Sequence, residues 1–174
     1  MKRRSFLVAL GALSFPAALR ARQGYAISDA ERLIAAIQDG GKIIYWLPSA
    51  NAAQSRLLGE ALRALRVPLN EILTGRTAAS RDAAEAAFQN LGVSAVTELD
   101  FRPDELLRTP PAPGNNRVLV GQRTPLETVV GRKMPQLVEG AMAIFLPGST
   151  IDLLGIVTAE RVIRGAERRG ALPR

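Results

Sequence analysis

The sequence predicts an α/β fold, a three-layer sandwich in which helices cover both faces of a mixed, mainly parallel sheet. Two patterns carry that expectation. Segments with a single apolar helical stripe alternate with short strand-like runs. The runs Lys42–Leu47 (KIIYWL) and Arg117–Gly121 (RVLVG) are almost continuously apolar, as strands covered on both faces must be.

The elements follow in order. Ser28-x-x-Glu31 has the form of a capping box, after which Ala30, Leu33, Ile34 and Ile37 recur at helical spacing until Gly40-Gly41. The strand 42–47 comes next, with Tyr45 and Trp46 as core residues rather than stacking platforms. Leu58, Ala61, Leu62 and Leu65 form the stripe of a second helix. Val67 to Leu73 reads as a strand with Pro68 at its start. A third helix over about 77–91 should bury Ala84, Ala87, Phe88 and Leu91 and stop at Gly92. Residues 93–116 show no clear period and end in a loop-like Pro/Gly/Asn tract, 109–116. After the strand 117–121, Thr124-Pro125-Leu126-Glu127 combines an N-cap, a first-turn proline and a capping-box glutamate. Residues 141–146 and 150–157 read as a strand pair turning at Pro147-Gly148-Ser149, and Thr158 caps a final amphipathic helix.

The first residues carry a different signal. Arg3-Arg4 stand directly before an apolar run from Phe6 to Leu19, too short for a convincing membrane span. The arrangement reads as an export signal and resembles the twin-arginine type. Cleavage is expected after Ala26 or, as the alternative, Ala21. Residues 27–174 then form one domain, periplasmic or secreted, with no stable membrane span. The chain has 23 basic and 16 acidic residues, but five of the cations and none of the acids lie in 1–26. Residues 27–174 therefore hold 18 against 16, a net +2, and no nucleic-acid footprint is expected. Five arginines in the last fifteen residues read as a solvated helix face.

Composition also bounds the chemistry. There is no cysteine and no histidine anywhere. Disulfides, histidine-dependent triads, zinc sites built on His or Cys, and phosphohistidine intermediates are all excluded. No cofactor or metal is expected. Gly40-Gly41-Lys42 lacks the upstream glycine of a phosphate loop and leads into a strand rather than a helix.

Sites in open α/β sheets form beyond the carboxyl ends of the strands, here 47–50, 74–81 and 122–124. The order of Ile43-Ile44-Tyr45-Trp46, the helix 59–65, Val67-Pro68, Ile72-Leu73-Thr74 leading into 78–88, and Gly114-Asn115 leading into Val118-Leu119-Val120-Gly121 resembles the histidine phosphatase superfamily, with its phosphoglycerate-mutase-like fold, and in particular its small exported bacterial members. The resemblance spans about residues 28–157 and implies a phosphatase site, but the diagnostic residues differ. Where the family has an Arg-His pair, with His as nucleophile, this chain has Leu47 and Pro48. The family's arginine in the helix after the second strand corresponds to Ala79, and its second histidine to Gln122. Glu98 and Asp100 are the nearest candidates for the family's acidic proton donor.

Pro48 offers neither a nucleophile nor an N–H, and the hydroxyls of Ser49, Thr74, Thr77 and Ser80 have no histidine to activate them. The expected function is therefore a pseudophosphatase, a non-catalytic binding or interaction protein. The alternative is an enzyme of altered chemistry acting on a small phosphate- or carboxylate-bearing substrate. Arg76, Arg81, Gln122 and Arg123 are the candidate anion-binding residues, because arginine forks suit oxyanions and a glutamine amide can donate. The competing expectation pairs Arg81 with Glu85 on one helix face and leaves Arg76 and Arg123 in solvent.

Overall fold

The computed structural model describes residues 30–172. Six strands, β1 (Ile43–Trp46), β2 (Leu69–Thr74), β3 (Val93–Ala95), β4 (Asn116–Val120), β5 (Ala141–Leu146) and β6 (Asp152–Thr158), form one sheet in the order β3-β2-β4-β1-β5-β6. The first four of that order run parallel, and β5 and β6 are antiparallel to their neighbours. This is the mixed, mainly parallel sheet expected, with β1 and β4 as its central pair. Both are buried along their whole length.

Helices cover both faces. Helices α1 (Ala30–Gln38), α2 (Ala52–Ala64), α3 (Ala78–Ala87) and α7 (Ala159–Arg168) bury Leu33, Ile37, Leu58, Leu62, Ala84 and Val162 against Ile44, Trp46, Val118 and Val120. The opposite face packs Ile43, Tyr45, Leu119 and Phe145 against Leu99, Leu107 and Leu126, from α4 (Glu98–Phe101), α5 (Asp104–Arg108) and α6 (Arg123–Val130). Alternation within the strands sends successive side chains to the two cores.

Several boundaries differ from the sequence reading. Ser28 lies outside the described residues, so its capping box is not among the structural findings. The second strand runs two residues later than expected at its start, 69–74. Helix α3 ends at Ala87, not near 91. The Phe88 N–H closes its last turn on the Ala84 carbonyl, and Leu91 lies beyond the helix, partly exposed. The aperiodic stretch 93–116 contains the edge strand β3 and two short helices, which are too brief to show a period. Thr124 is not the cap of α6. Gln122 occupies that place, Thr124 lies inside the helix, and its carbonyl accepts from the Thr128 hydroxyl. Glu127 forms no capping box. Its carboxylate accepts from the Met134 N–H at 2.7 Å and from Lys133 Nζ at 3.1 Å. Thr158 does cap α7, accepting from the Arg161 N–H.

Two buried polar residues hold the amino-terminal edge of the sheet. Asn116, which composition placed in the loop, is fully buried. Its Nδ2 donates to the carbonyls of Ile37 (2.7 Å) and Pro68 (2.8 Å), and its Oδ1 accepts from the Lys42 N–H (3.0 Å). One amide thus ties the end of α1 to the entries of β1 and β2. Arg117 pairs with Glu71 on β2 and donates to the Thr109 carbonyl, anchoring the segment after α5. Gly40 turns the chain here at φ 74°, and a Cβ would come within 2.6 Å of the Gly114 carbonyl carbon.

Candidate functional site

The carboxyl ends of β1, β4 and β2 open toward one side. Trp46 pairs with Val120, and Val120 with Thr74, so 47–48, 121–122 and 75–77 leave the sheet side by side. The Gly121 N–H donates to the Trp46 carbonyl (3.1 Å) and the Gly75 N–H to the Val120 carbonyl (3.0 Å).

A hollow of about 360 Å³ lies at this end, lined by Arg76, Thr77, Asp100 and Gln122. Of the four residues read as anion-binding, it therefore brings together two. Arg76 lines the hollow and Gln122 faces it. Arg81 extends back along its own helix and donates to the Arg76 carbonyl at 3.4 Å, not to Glu85. Arg123 begins α6 and is not part of the lining. Arg76 is not simply solvated, as the competing expectation had it. Its backbone N–H (3.0 Å) and its Nε (3.3 Å) both donate to Asp100 Oδ2, and its guanidinium carbon lies 5.9 Å from the centre of the Phe101 ring.

Asp100 is the residue that the sequence located only as one of two unsupported acids. Its side chain is 16% exposed, against 60% for that of Arg76. Helix α4 carries it over the end of β2, where Gly75 makes room. A Cβ on Gly75 would stand 3.3 Å from Asp100 Cγ and closer still to Oδ1. The signal in the sequence was slight, a lone glycine between a strand and an arginine.

Tyr45 supports the site from below. It is fully buried and donates its hydroxyl to the Gln122 carbonyl at 2.8 Å. Burial, and after it the negative charge of Asp100, pushes the Tyr45 hydroxyl well above the ordinary phenol range, so it serves as a neutral donor. Gly121 permits this contact, because a Cβ there would lie 2.8 Å from Tyr45 Cζ.

The remaining positions hold no reactive arrangement. Leu47 packs into the core on the Tyr45 face and continues the β1–β5 ladder through bonds to Ala141 and Gly140. Pro48 leads into a short loop whose Asn51 caps α2, accepting from Ala53 and Gln54 N–H groups. Ala79 is an exposed residue in the first turn of α3. The Ser49 hydroxyl donates to Gln54 Oε1, and the Thr77 hydroxyl donates to that of Ser80. Thr74 Oγ1 is buried without a hydrogen-bond partner. Among the described residues no cluster of acids could hold a metal ion, and no helix is long and apolar enough to cross a membrane.

No family model and no curated protein matches the chain. Solved structures do. The protein histidine phosphatase SixA, complexed with tungstate, is similar with a TM-score of 0.53 at 11% identity, over 70% of this chain and 99% of that one. Phosphoglycerate mutase from Plasmodium falciparum gives a TM-score of 0.48 at 9% identity, over 64% of this chain and 87% of that one. With its central parallel β1–β4 pair, its mixed six-stranded sheet and its helices on both faces, the chain has a histidine-phosphatase-like fold.

Proposed function

We propose that this chain is an exported domain of histidine-phosphatase-like fold that has lost phosphoryl-transfer chemistry and acts as a binding or interaction protein. The observation that supports the reading is the absence of any histidine, together with Leu47, Pro48 and Gln122, which follow the central strands β1 and β4 and which the resemblance sets at the family's reacting positions. A nucleophile needs a base within hydrogen-bond reach. The hydroxyls of Ser49, Thr77, Ser80 and Thr74 bond instead to an amide, to one another, or to nothing. In a well-studied hydrolase, loss of the nucleophile alone costs about 10⁶ in rate, and residues that act as a unit fail together.

A small anion is the ligand class that the hollow supports best. Arg76 and Gln122 are donors, and the SixA structure of the same fold is a complex with tungstate, an oxyanion. An enzyme of altered chemistry would need a carboxylate poised to accept a proton. Asp100 is the one carboxylate lining the hollow, and it is engaged by Arg76. The test is phosphate release from a generic phosphomonoester by the purified domain and by its Pro48→Ala variant. Equal release at the buffer background is expected in both. Release by the parent that falls in the variant would overturn the reading.

A further inference from the structure

Arg76 is tied to Asp100 through its backbone and Nε, yet its other guanidinium donors are unused. Its backbone N–H and Nε bind Asp100, and its guanidinium lies near Phe101, while Nη1 and Nη2 make no hydrogen bond among the described residues. The side-chain amide of Gln122, which also lines the hollow, makes none either, though the backbone carbonyl of that residue accepts from the Tyr45 hydroxyl. The Thr77 hydroxyl is already committed to Ser80. The hollow thus presents a guanidinium edge, tethered through Nε, and an amide, which together suit an oxyanion. The group that argues against an anion entering is the Asp100 carboxylate on the same arginine.

We infer that Asp100 is a built-in counter-ion that holds a latent oxyanion site closed, and that removing or displacing its charge opens that site to phosphate. The electrostatics set the direction. An entering dianion must share Arg76 with a fixed negative charge, and like charges at such range disfavour one another. The geometry explains why the carboxylate stays. It takes two charge-assisted hydrogen bonds from one residue and occupies the gap left by Gly75, where even a methyl group would collide with it. Asp100 therefore competes with an anionic ligand for Arg76 and lowers the site's affinity until its charge is removed or displaced, and Gly75 is the residue that seats it.

The inference rests on the proposal that this end of the sheet binds its ligand. Affinity and phosphate release are measured separately, so each can fail alone. The experiment is isothermal titration with inorganic phosphate at constant ionic strength, on the parent, Asp100→Asn, Gly75→Ala, and Asp100→Asn combined with Arg76→Ala. The asparagine keeps an acceptor for the Arg76 N–H, so α4 stays in place. It should bind phosphate at least about tenfold more tightly than the parent, equivalent to about 1.4 kcal/mol. Gly75→Ala retains the acid but pushes it off Arg76, and should also gain affinity, by less. The double variant should lose the gain. A folded Asp100→Asn protein with the parent's affinity would overturn the inference. So would a gain that survives the loss of Arg76. If Asp100→Asn does not fold, Gly75→Ala decides, and parent-like affinity there is the overturning result.

Discussion

Replacing Gly59 by alanine sets two effects of opposite sign against each other. Gly59 lies in the middle of α2, buried against the end of α3. Alanine is the better helix former, by about 1 kcal/mol, so an exposed glycine here would be improved by the change. The packing opposes it. The new Cβ would stand 2.6 Å from the Ala87 carbonyl carbon and 3.0 Å from its Cα, and closer still to the carbonyl oxygen. These separations are well inside the ~3.5 Å at which non-bonded atoms rest. The obstacle is backbone, so no rotamer change relieves it and the two helices must separate. Overpacking of a close-packed core costs about 1–3 kcal/mol, and this contact belongs at the upper end. The net is a loss of about 2 kcal/mol, or about 4–8 °C in melting temperature for a chain of this size. Thermal and urea denaturation followed by circular dichroism measure it. A local reporter is available, because Trp46, the only tryptophan, meets the ring of Phe88 edge-on at 6.1 Å. Its fluorescence should shift in the folded variant. A Gly59→Ala protein as stable as the parent, with unchanged emission, would refute the close α2–α3 approach.

Two further outcomes follow from the charges. The Met134 N–H and then the Lys133 ammonium hold the Glu127 carboxyl below its usual 4.5. A lowered folded value means that the contribution to stability is complete above 4.5 and lost as pH falls through the folded value. Glu127→Gln should therefore melt below the parent at pH 7, with the gap closing in acid; a gap independent of pH would contradict this. At the other end of the chain, changing Arg3 and Arg4 together to lysine should leave the precursor in the cytoplasm. Export that persists in that variant, and stops when the general secretory route is blocked, would remove the twin-arginine assignment.

The central strands were legible because their signal is local. KIIYWL and RVLVG are too apolar for any place but a sheet covered on both faces, and each stands beside turn residues. The absence of histidine was equally plain and bounds the chemistry without any coordinates. The elements β3, α4 and α5 were not legible, since three to five residues cannot display a period. Asn116 was misread because an asparagine beside Pro, Gly and Asn has the composition of a loop; only the meeting of α1, β1 and β2 gives its amide three backbone partners.

The candidate site divides in the same way. The sequence by itself indicated which residues emerge at the ends of the parallel strands, and that Leu47, Pro48, Ala79 and Gln122 offer neither a histidine nor an arginine. It also supplied four candidate anion-binding residues, as a list without directions. Only the tertiary structure decided which of them meet. Arg76 and Gln122 face one hollow because β2 and β4 are paired there, while Arg81 turns back along its own helix. Only the tertiary structure brought Asp100 to Arg76 across 24 residues of chain. The physical reason is that a charge's partner is set by where α4 packs over the end of the sheet. That packing is a matter of shape at Gly75, Leu99 and Tyr45, which no spacing in the sequence records.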